Sequence, residues 1–223
     1  MALDARYQWI CPHTQKSIEY ASAYSGLLER YQREMGLDLT TDMSPPGDLM
    51  IEVRVLKYQG ELSMLEIGDR TVIREFATLN RGTAASGRTV VGSDCLLMAY
   101  THVAHDCELG NHVILANSVN MAGHVRIEDW VIVGGLTPIH QFVRIGAHAF
   151  VGGGSRVSQD VPPYCRAAGN PPRLPGLNTV GLERRGVSDH VRKALKAGYR
   201  MLFKSDVNLS KALDRAEEEI QGV

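Results

Sequence analysis

Every sixth residue from Val91 to Val157 is large and apolar: Val91, Leu97, Val103, Leu109, Leu115, Met121, Ile127, Val133, Ile139, Ile145, Val151 and Val157. The residue after each is mostly small or acidic. The fourth residue after each is small or β-branched, from Cys95 and Thr101 through to Ser155 and Val161. An amphipathic helix would repeat near 3.6 residues and a half-buried strand every two. A period of six fits neither alone. It fits three short, flat strands per turn, each placing one aliphatic residue at the inside of a triangular prism: a parallel β-helix. One turn is then three hexads, and successive turns stack about 4.8 Å apart. Ile67, Ile73 and Leu79 extend the register backwards, with Ala85 in the slot before Val91. The repeat therefore spans residues 65 to 161, in about five turns that need a cap at each end.

Around that core the chain divides into three. Residues 1–55 show no hexapeptide. Ile18, Ala21, Tyr24, Leu28, Tyr31 and Met35 share one face of a helix expected over 17–35, with Gly36 as its C-cap. Tyr24, Leu28 and Tyr31 are expected to cover the first turn. Ser44-Pro45-Pro46-Gly47 is a break. Residues 56–164 form the β-helix, and Val161-Pro162-Pro163-Tyr164 is expected to end it, because two prolines cannot continue a ladder. Residues 165–223 form a C-terminal helical region. One helix starts at Ser188 as N-cap and runs through Val191, Leu195, Gly198 and Leu202; a second carries Leu209, Leu213, Ala216 and Ile220.

Composition narrows the partners. The net charge is −1 over 223 residues, which gives no global case for nucleic acid. Cys11, Cys95, Cys107 and Cys165 form no CxxC pair, and Cys95 and Cys107 fall in inward slots. They read as buried thiols of a reducing, cytoplasmic setting. No apolar run is long enough for a membrane span, and no signal peptide is visible.

The period converts sequence distance into spatial distance. His105, Gly123 and Gln141 follow one another at intervals of three hexads and should stack in one column; Asp106, His124 and Phe142 form the next. His102 lies three positions before His105, and His140 lies beside Gln141. One side of the prism thus collects four histidines, an aspartate and a glycine. Histidine can act as a base near neutral pH, and Asp106 could orient the ring. Gly123 leaves its N–H approachable as a donor to a developing oxyanion. A base one turn from an oxyanion donor suits acyl transfer. No serine or cysteine sits in that column, so direct attack by a substrate hydroxyl or amine is the simpler scheme. Three histidines could alternatively bind zinc, but no His-x4-His pair occurs on the repeat, and no metal is expected. His112 and His148 read as ordinary surface residues.

At these residues the chain resembles the UDP-N-acetylglucosamine O-acyltransferase family of lipid A synthesis. The resemblance rests on His102-Val103-Ala104-His105-Asp106-Cys107, Met121-Ala122-Gly123-His124-Val125 and Gly134 to Phe142 with its Ile139-His140-Gln141-Phe142 end. It continues in Gln159 to Tyr164 and in Gly181-Leu182-Glu183-Arg184-Arg185-Gly186. Upstream, Glu66 to Arg70 and Arg81-Gly82-Thr83 fit too. It implies a homotrimer of left-handed β-helices that moves a 3-hydroxyacyl chain from acyl carrier protein to the glucosamine 3-hydroxyl of UDP-N-acetylglucosamine. No cofactor is implied, since the carrier thioester is itself a substrate. By motif match His105 would be the general base, Asp106 its partner and Gly123 the oxyanion donor. His102, His124, His140 and Gln141 would line the substrate cleft between subunits, and Lys57 would contact substrate. Gly153 matches the position that sets acyl length; Asn178, Arg184 and Arg185 match residues near the nucleotide. Two positions depart from the family pattern, Val55 and Val180, which replace an aspartate and a glutamate. They keep open the reading of a non-catalytic trimer that has lost acceptor binding; a related N-acyltransferase with an amine acceptor is the other alternative. A basic run from Arg184 to Lys204, with Asp189 its one aspartate, would suit an acidic carrier protein.

Overall fold

In the computed structural model, residues 49–50, 62–205 and 208–219 are described. They form a left-handed parallel β-helix followed by three helices. The prism has three faces. The first contains β1 (Leu49–Met50), β4 (Ala77–Leu79), β7 (His102–Val103), β10 (Asn120–Met121) and β13 (Pro138–Ile139). The second contains β2 (Met64–Ile67), β5 (Arg88–Val91), β8 (Glu108–Leu109), β11 (Arg126–Ile127) and β14 (Arg144–Ile145). The third contains β3 (Val72–Ile73), β6 (Leu96–Leu97), β9 (Ile114–Leu115), β12 (Ile132–Val133), β15 (Phe150–Val151), β16 (Cys165–Ala168) and β17 (Arg173–Leu177). All pairings are parallel except β16 with β17.

The hexapeptide slots fill the interior. The twelve aliphatic residues from Val91 to Val157 are buried, and so is each small or β-branched residue from Cys95 to Val161. The residue just before each small slot from Cys95 to Ser155 adopts a left-handed backbone. From Asp94, Tyr100 and Asp106 through Trp130, Leu136, Phe142 and His148, φ lies between 57° and 64°. That conformation disfavours L-residues with a Cβ, yet it turns each corner sharply and throws the side chain outward. The outward side chains of one corner therefore stack along the axis.

Three features differ from the sequence-based expectation. First, β1 lies ahead of residue 55 and pairs with β4, Leu49 opposite Ala77, so the ladder takes in residues just past the Pro45-Pro46-Gly47 break. Second, the register advances by three hexads from His102 to Asn120 but by four from Thr78 to His102. The extra hexad falls in residues 80–87, a loop between β4 and β5 in which Ala85 is exposed and fills no inner slot. An insertion of one whole hexad preserves the period and so does not show in it. Third, Pro162 and Pro163 do not end the β-helix. Val161 still bridges Ile145, and β16 continues the third face beyond them. Among the described residues no strand of the second face follows Val161, so no ladder N–H is asked of the prolines; the donors on either side are used, Val161 N–H to Arg144 O at 2.9 Å and Tyr164 N–H to Ala147 O at 2.8 Å. β17 then folds back antiparallel and closes that edge.

The helices are α1 (Thr179–Arg184), α2 (Asp189–Lys204) and α3 (Leu209–Glu219). Ser188 caps α2, accepting from Val191 N–H, as its position predicts. Tyr199 of α2 ties it to the prism by donating to Leu174 O at 2.6 Å. The helix expected over 17–35, and its packing over the first turn, lie outside the described residues.

Candidate active site

The histidine cluster occupies the corner between the first and second faces. His105 and Gly123 stack one coil apart, so closely that a Cβ on residue 123 would stand 2.6 Å from His105 Cε1 and 2.9 Å from Nε2. Glycine is thus required for the imidazole to lie over the next coil's backbone. The coil's ladder is carried on either side of this glycine, by Ala122 N–H to Ile139 O at 3.0 Å and His124 N–H to His105 O at 3.1 Å. The N–H of Gly123 lies between those donors, beside the His105 ring.

Asp106 organises the corner from beneath residues 80–87, its side chain fully buried. Its Oδ2 lies 2.8 Å from His105 Nδ1 and 3.8 Å from His124 Nε2. Oδ2 also accepts from the Thr83 hydroxyl at 2.6 Å, and Oδ1 accepts from Thr83 N–H at 2.9 Å. The Ser86 hydroxyl meets Oδ1 as well. Burial pushes this carboxyl's pKa up, but the hydrogen bonds from Ser86, Thr83 and His105 outweigh it and hold the group well below the usual carboxylate range. Asp106 is therefore ionised at neutral pH and can only accept. His105 Nδ1 must then be the donor, which leaves Nε2 unprotonated in the neutral ring.

The remaining expected residues are spread around the prism. His124 stacks edge-on to His105, centroids 5.2 Å apart, and face-on to Phe142 at 4.8 Å. His140 and Gln141 are exposed at the same corner, with His140 Nδ1 3.1 Å from Gln141 O. His102 sits on the first face, its Nδ1 2.7 Å from the Thr78 hydroxyl. Gly153 lies at the corner between the third and first faces, in the column of Gly135, whose carbonyl approaches it most closely. Asn178, Arg184 and Arg185 lie at the corner between the second and third faces, around a cavity of about 640 Å³. There His112, Trp130, His148 and Tyr164 form a continuous stack. His112 and His148 are thus members of a built column and not isolated surface residues. Arg185 donates to Trp130 O at 2.7 Å with its guanidinium 5.4 Å from the ring centre, while Asn178 caps α1 and donates to His148 O at 2.9 Å. Lys57 and Val55 lie outside the described residues.

Sequence reasoning missed Thr83 and Ser86. Their signal was a short run of small residues between Gly82 and Gly87, which the unbroken hexad count concealed. The donor atoms of His105, Asp106 and His124 lie within 4.8 Å of one another, near enough to share a metal ion. The two Asp106 oxygens, however, are already engaged by Thr83, Ser86 and His105.

Residues 160–223 match a family described as UDP N-acetylglucosamine O-acyltransferase, domain 2, and residues 88–123 match the bacterial transferase hexapeptide family. The chain is 49% identical over 168 residues to an acyl-[acyl-carrier-protein]–UDP-N-acetylglucosamine O-acyltransferase of Myxococcus xanthus, covering 75% of this chain and 65% of that protein. It is 54% identical over 163 residues to the protein of the same name from Paracidovorax citrulli, covering 73% and 62%. It thus spans somewhat less than two thirds of these curated relatives. A solved UDP-N-acetylglucosamine acyltransferase from Bacteroides fragilis superposes with a TM-score of 0.75 at 42% identity, over 79% of this chain and 70% of that one.

Proposed function

The chain belongs to the UDP-N-acetylglucosamine O-acyltransferase family, and from that membership we propose that it transfers a 3-hydroxyacyl chain from acyl carrier protein to the 3-hydroxyl of UDP-N-acetylglucosamine. His105 Nε2 takes the proton of the attacking hydroxyl while Asp106 stabilises the imidazolium that forms. The alkoxide oxygen attacks the thioester carbonyl, and the Gly123 N–H donates to the oxyanion. Collapse breaks the carbon–sulfur bond, and His105 returns its proton to the departing thiolate. No cofactor enters the scheme, and the ester forms without a covalent enzyme intermediate. The observation that carries this reading is the His105 ring, lying over Gly123 with its Nδ1 held by an ionised aspartate.

The separation of the corners supports a homotrimer. In one protomer the histidine corner and the Arg184–Arg185 cavity lie on different edges of the prism. A three-fold assembly sets an edge of one copy against a different edge of the next and brings the two halves together. His102, His124, His140 and Gln141 then line the cleft; Asn178, Arg184 and Arg185 face the nucleotide; Gly153 leaves room for the far end of the acyl chain; and Lys57 contacts the acceptor. Lys196, Arg200 and Lys204 are exposed at i, i+4 and i+8 of α2, a stripe that suits an acidic carrier protein. No helix among the described residues is long and apolar enough to cross a membrane; a cytoplasmic location fits the thiols of Cys95, Cys107 and Cys165, which are buried and unpaired.

The test is an assay of acyl transfer from 3-hydroxyacyl carrier protein to UDP-N-acetylglucosamine, with the product identified by mass. His105→Ala should lower turnover about 10²- to 10⁴-fold at unchanged solution mass. Near wild-type turnover in that variant removes His105 from the mechanism. Product formed only with an amine acceptor would assign the N-acyl reaction instead.

A further inference from the structure

The hexad that breaks the regular spacing is held against the chemistry. Residues 80–87 leave the first face after β4 and return at β5. Both ends of the excursion are fixed to the first coil. Arg81 donates from Nε to the Ser63 hydroxyl at 2.7 Å and from its other arm to Ser63 O. Gly82 N–H donates to Met64 O at 3.0 Å, and Met64 N–H donates to Gly87 O at 2.9 Å. Across the loop, Gly87 N–H closes onto Thr83 O at 2.7 Å. Gly82 lies so close to Arg88 that a Cβ there would stand 2.2 Å from the Arg88 nitrogen. A surface excursion with no task has no need of such anchoring.

What the anchoring presents is a set of donors to one carboxylate. Thr83 N–H, the Thr83 hydroxyl and the Ser86 hydroxyl all face Asp106. The Thr83 hydroxyl accepts from Ala85 N–H at 3.2 Å, so its single proton is directed to Asp106 Oδ2. From the opposite side the Thr89 hydroxyl accepts from Asp106 N–H at 2.8 Å and fixes the aspartate's backbone. The carboxylate is thereby fixed in position, ionisation and orientation, with room on Oδ2 for one more donor, which His105 Nδ1 provides.

We propose that residues 80–87 are a positioning clamp, in which Thr83 and Ser86 hold Asp106 as an acceptor so that His105 keeps its proton on Nδ1 and its lone pair on Nε2. The proposal rests on His105 acting as the base. Neither Thr83 nor Ser86 touches the reacting atoms; both act through Asp106. A neutral imidazole free to exchange tautomers would spend part of its time with Nε2 protonated and unable to accept from the substrate hydroxyl. A reversed tautomer can cost a base–carboxylate pair several orders of magnitude in turnover. A mixture of tautomers costs less, and about a 10- to 100-fold loss is expected.

The test reads the tautomer directly. The full-length protein is labelled with ¹⁵N in its histidines, and the ring nitrogens are recorded at alkaline pH, where the imidazoles are neutral. In the unaltered protein His105 should show a protonated Nδ1 and a bare Nε2. In Thr83→Val/Ser86→Ala the Nε2-protonated form should appear. Turnover should fall about 10- to 100-fold, with the KM for the sugar nucleotide within about twofold. Thr83→Ser, which keeps the hydroxyl, should retain both the tautomer and the turnover. Should the double variant fail to fold, Ser86→Ala alone, at an exposed position, should shift the tautomer in the same direction by a smaller amount. The clamp is overturned if the unaltered protein already carries its proton on Nε2. It is also overturned if the variants keep the Nδ1 tautomer with turnover within twofold. Lack of acyl transfer in the unaltered protein would remove the proposed reaction, while the ring nitrogens would still report on the clamp.

Discussion

The coils from His102 onward and the coil that precedes them are built from the same hexapeptides but do different work. In the later coils each step as far as β15 is three hexads, shortening by two residues from Phe150 to Arg166 where the prism ends; the interior is sealed by aliphatic residues, and the corners carry stacked side chains. In the earlier one the step is four hexads, and the extra one leaves the prism to reach the histidine corner. The regular coils place His105 over Gly123. The irregular one fixes the charge and direction of Asp106. Periodicity therefore accounts for where the base stands, and the departure from periodicity accounts for how it is held.

The sharpest way to break that comparison is to make the two regions alike. Deleting residues 82–87 restores a three-hexad step between β2, β3 and β4 and their partners β5, β6 and β7. The far-UV circular dichroism and solution mass should be kept, while turnover falls by about 10³-fold, within the range expected for a disabled general base. Unchanged turnover would show the insertion to be idle; a collapsed spectrum would show that regular spacing alone does not hold the coils. Gly123→Ala probes the regular region. The new Cβ meets the His105 ring, so turnover should fall about 10²-fold, in proportion to the loss of an oxyanion donor and of base alignment, with little change in thermal unfolding.

Two smaller effects concern stability. Asp106 has a folded pKa below its ordinary value, so its contribution is complete above about pH 4 and is lost as pH falls through the lowered value. Asp106→Asn should therefore unfold more easily at pH 7, by about 2 kcal/mol, in line with hydrogen bonds to a charged group. The gap between variant and wild type in denaturant titrations should shrink on acidification below pH 4. A gap that widens there reverses the sign of the argument. In the regular coils the Thr101 hydroxyl is buried without a hydrogen-bond partner. Thr101→Val keeps the shape and removes that polar group, and should stabilise the protein by about 1 kcal/mol, read as a raised Tm.

How much of this was legible depends on which physical constraint fixed each residue. Inner positions such as Leu97 or Val133 repeat because a narrow prism accepts little else, and they were readable one by one. Column partners such as Asp106, His124 and Phe142 followed from the period, since three hexads make one circuit. Thr83 and Ser86 were not readable: hydroxyl residues are common in loops, and an insertion of one full hexad leaves the count intact. Pro162 and Pro163 resembled a terminator because proline interrupts ladders, yet the second face ends at that point while the third continues through β16. Asn178 and Arg185 were singled out from the resemblance; their bonds to His148 and Trp130 came into view only with the folded corner.

The four-hexad step has a further consequence for how such a chain finds its fold. It shows that the prism accommodates a whole hexad outside its ladder: Val91, Leu97 and Val103 still fill inner slots beyond it, while Ala85 within it is exposed. For most sheets a register error exposes the hydrophobic set and is rejected on that ground. Here an error of one hexad keeps the inward residues inward, and it rotates the chemistry by a third of a circuit. Discrimination falls to the outward columns, where Asp106 finds its hydroxyls and Trp130 its histidines in one register only. The same side chains that equip the site thus also select the native winding from near-equivalent alternatives, the condition for a smoothly funnelled search.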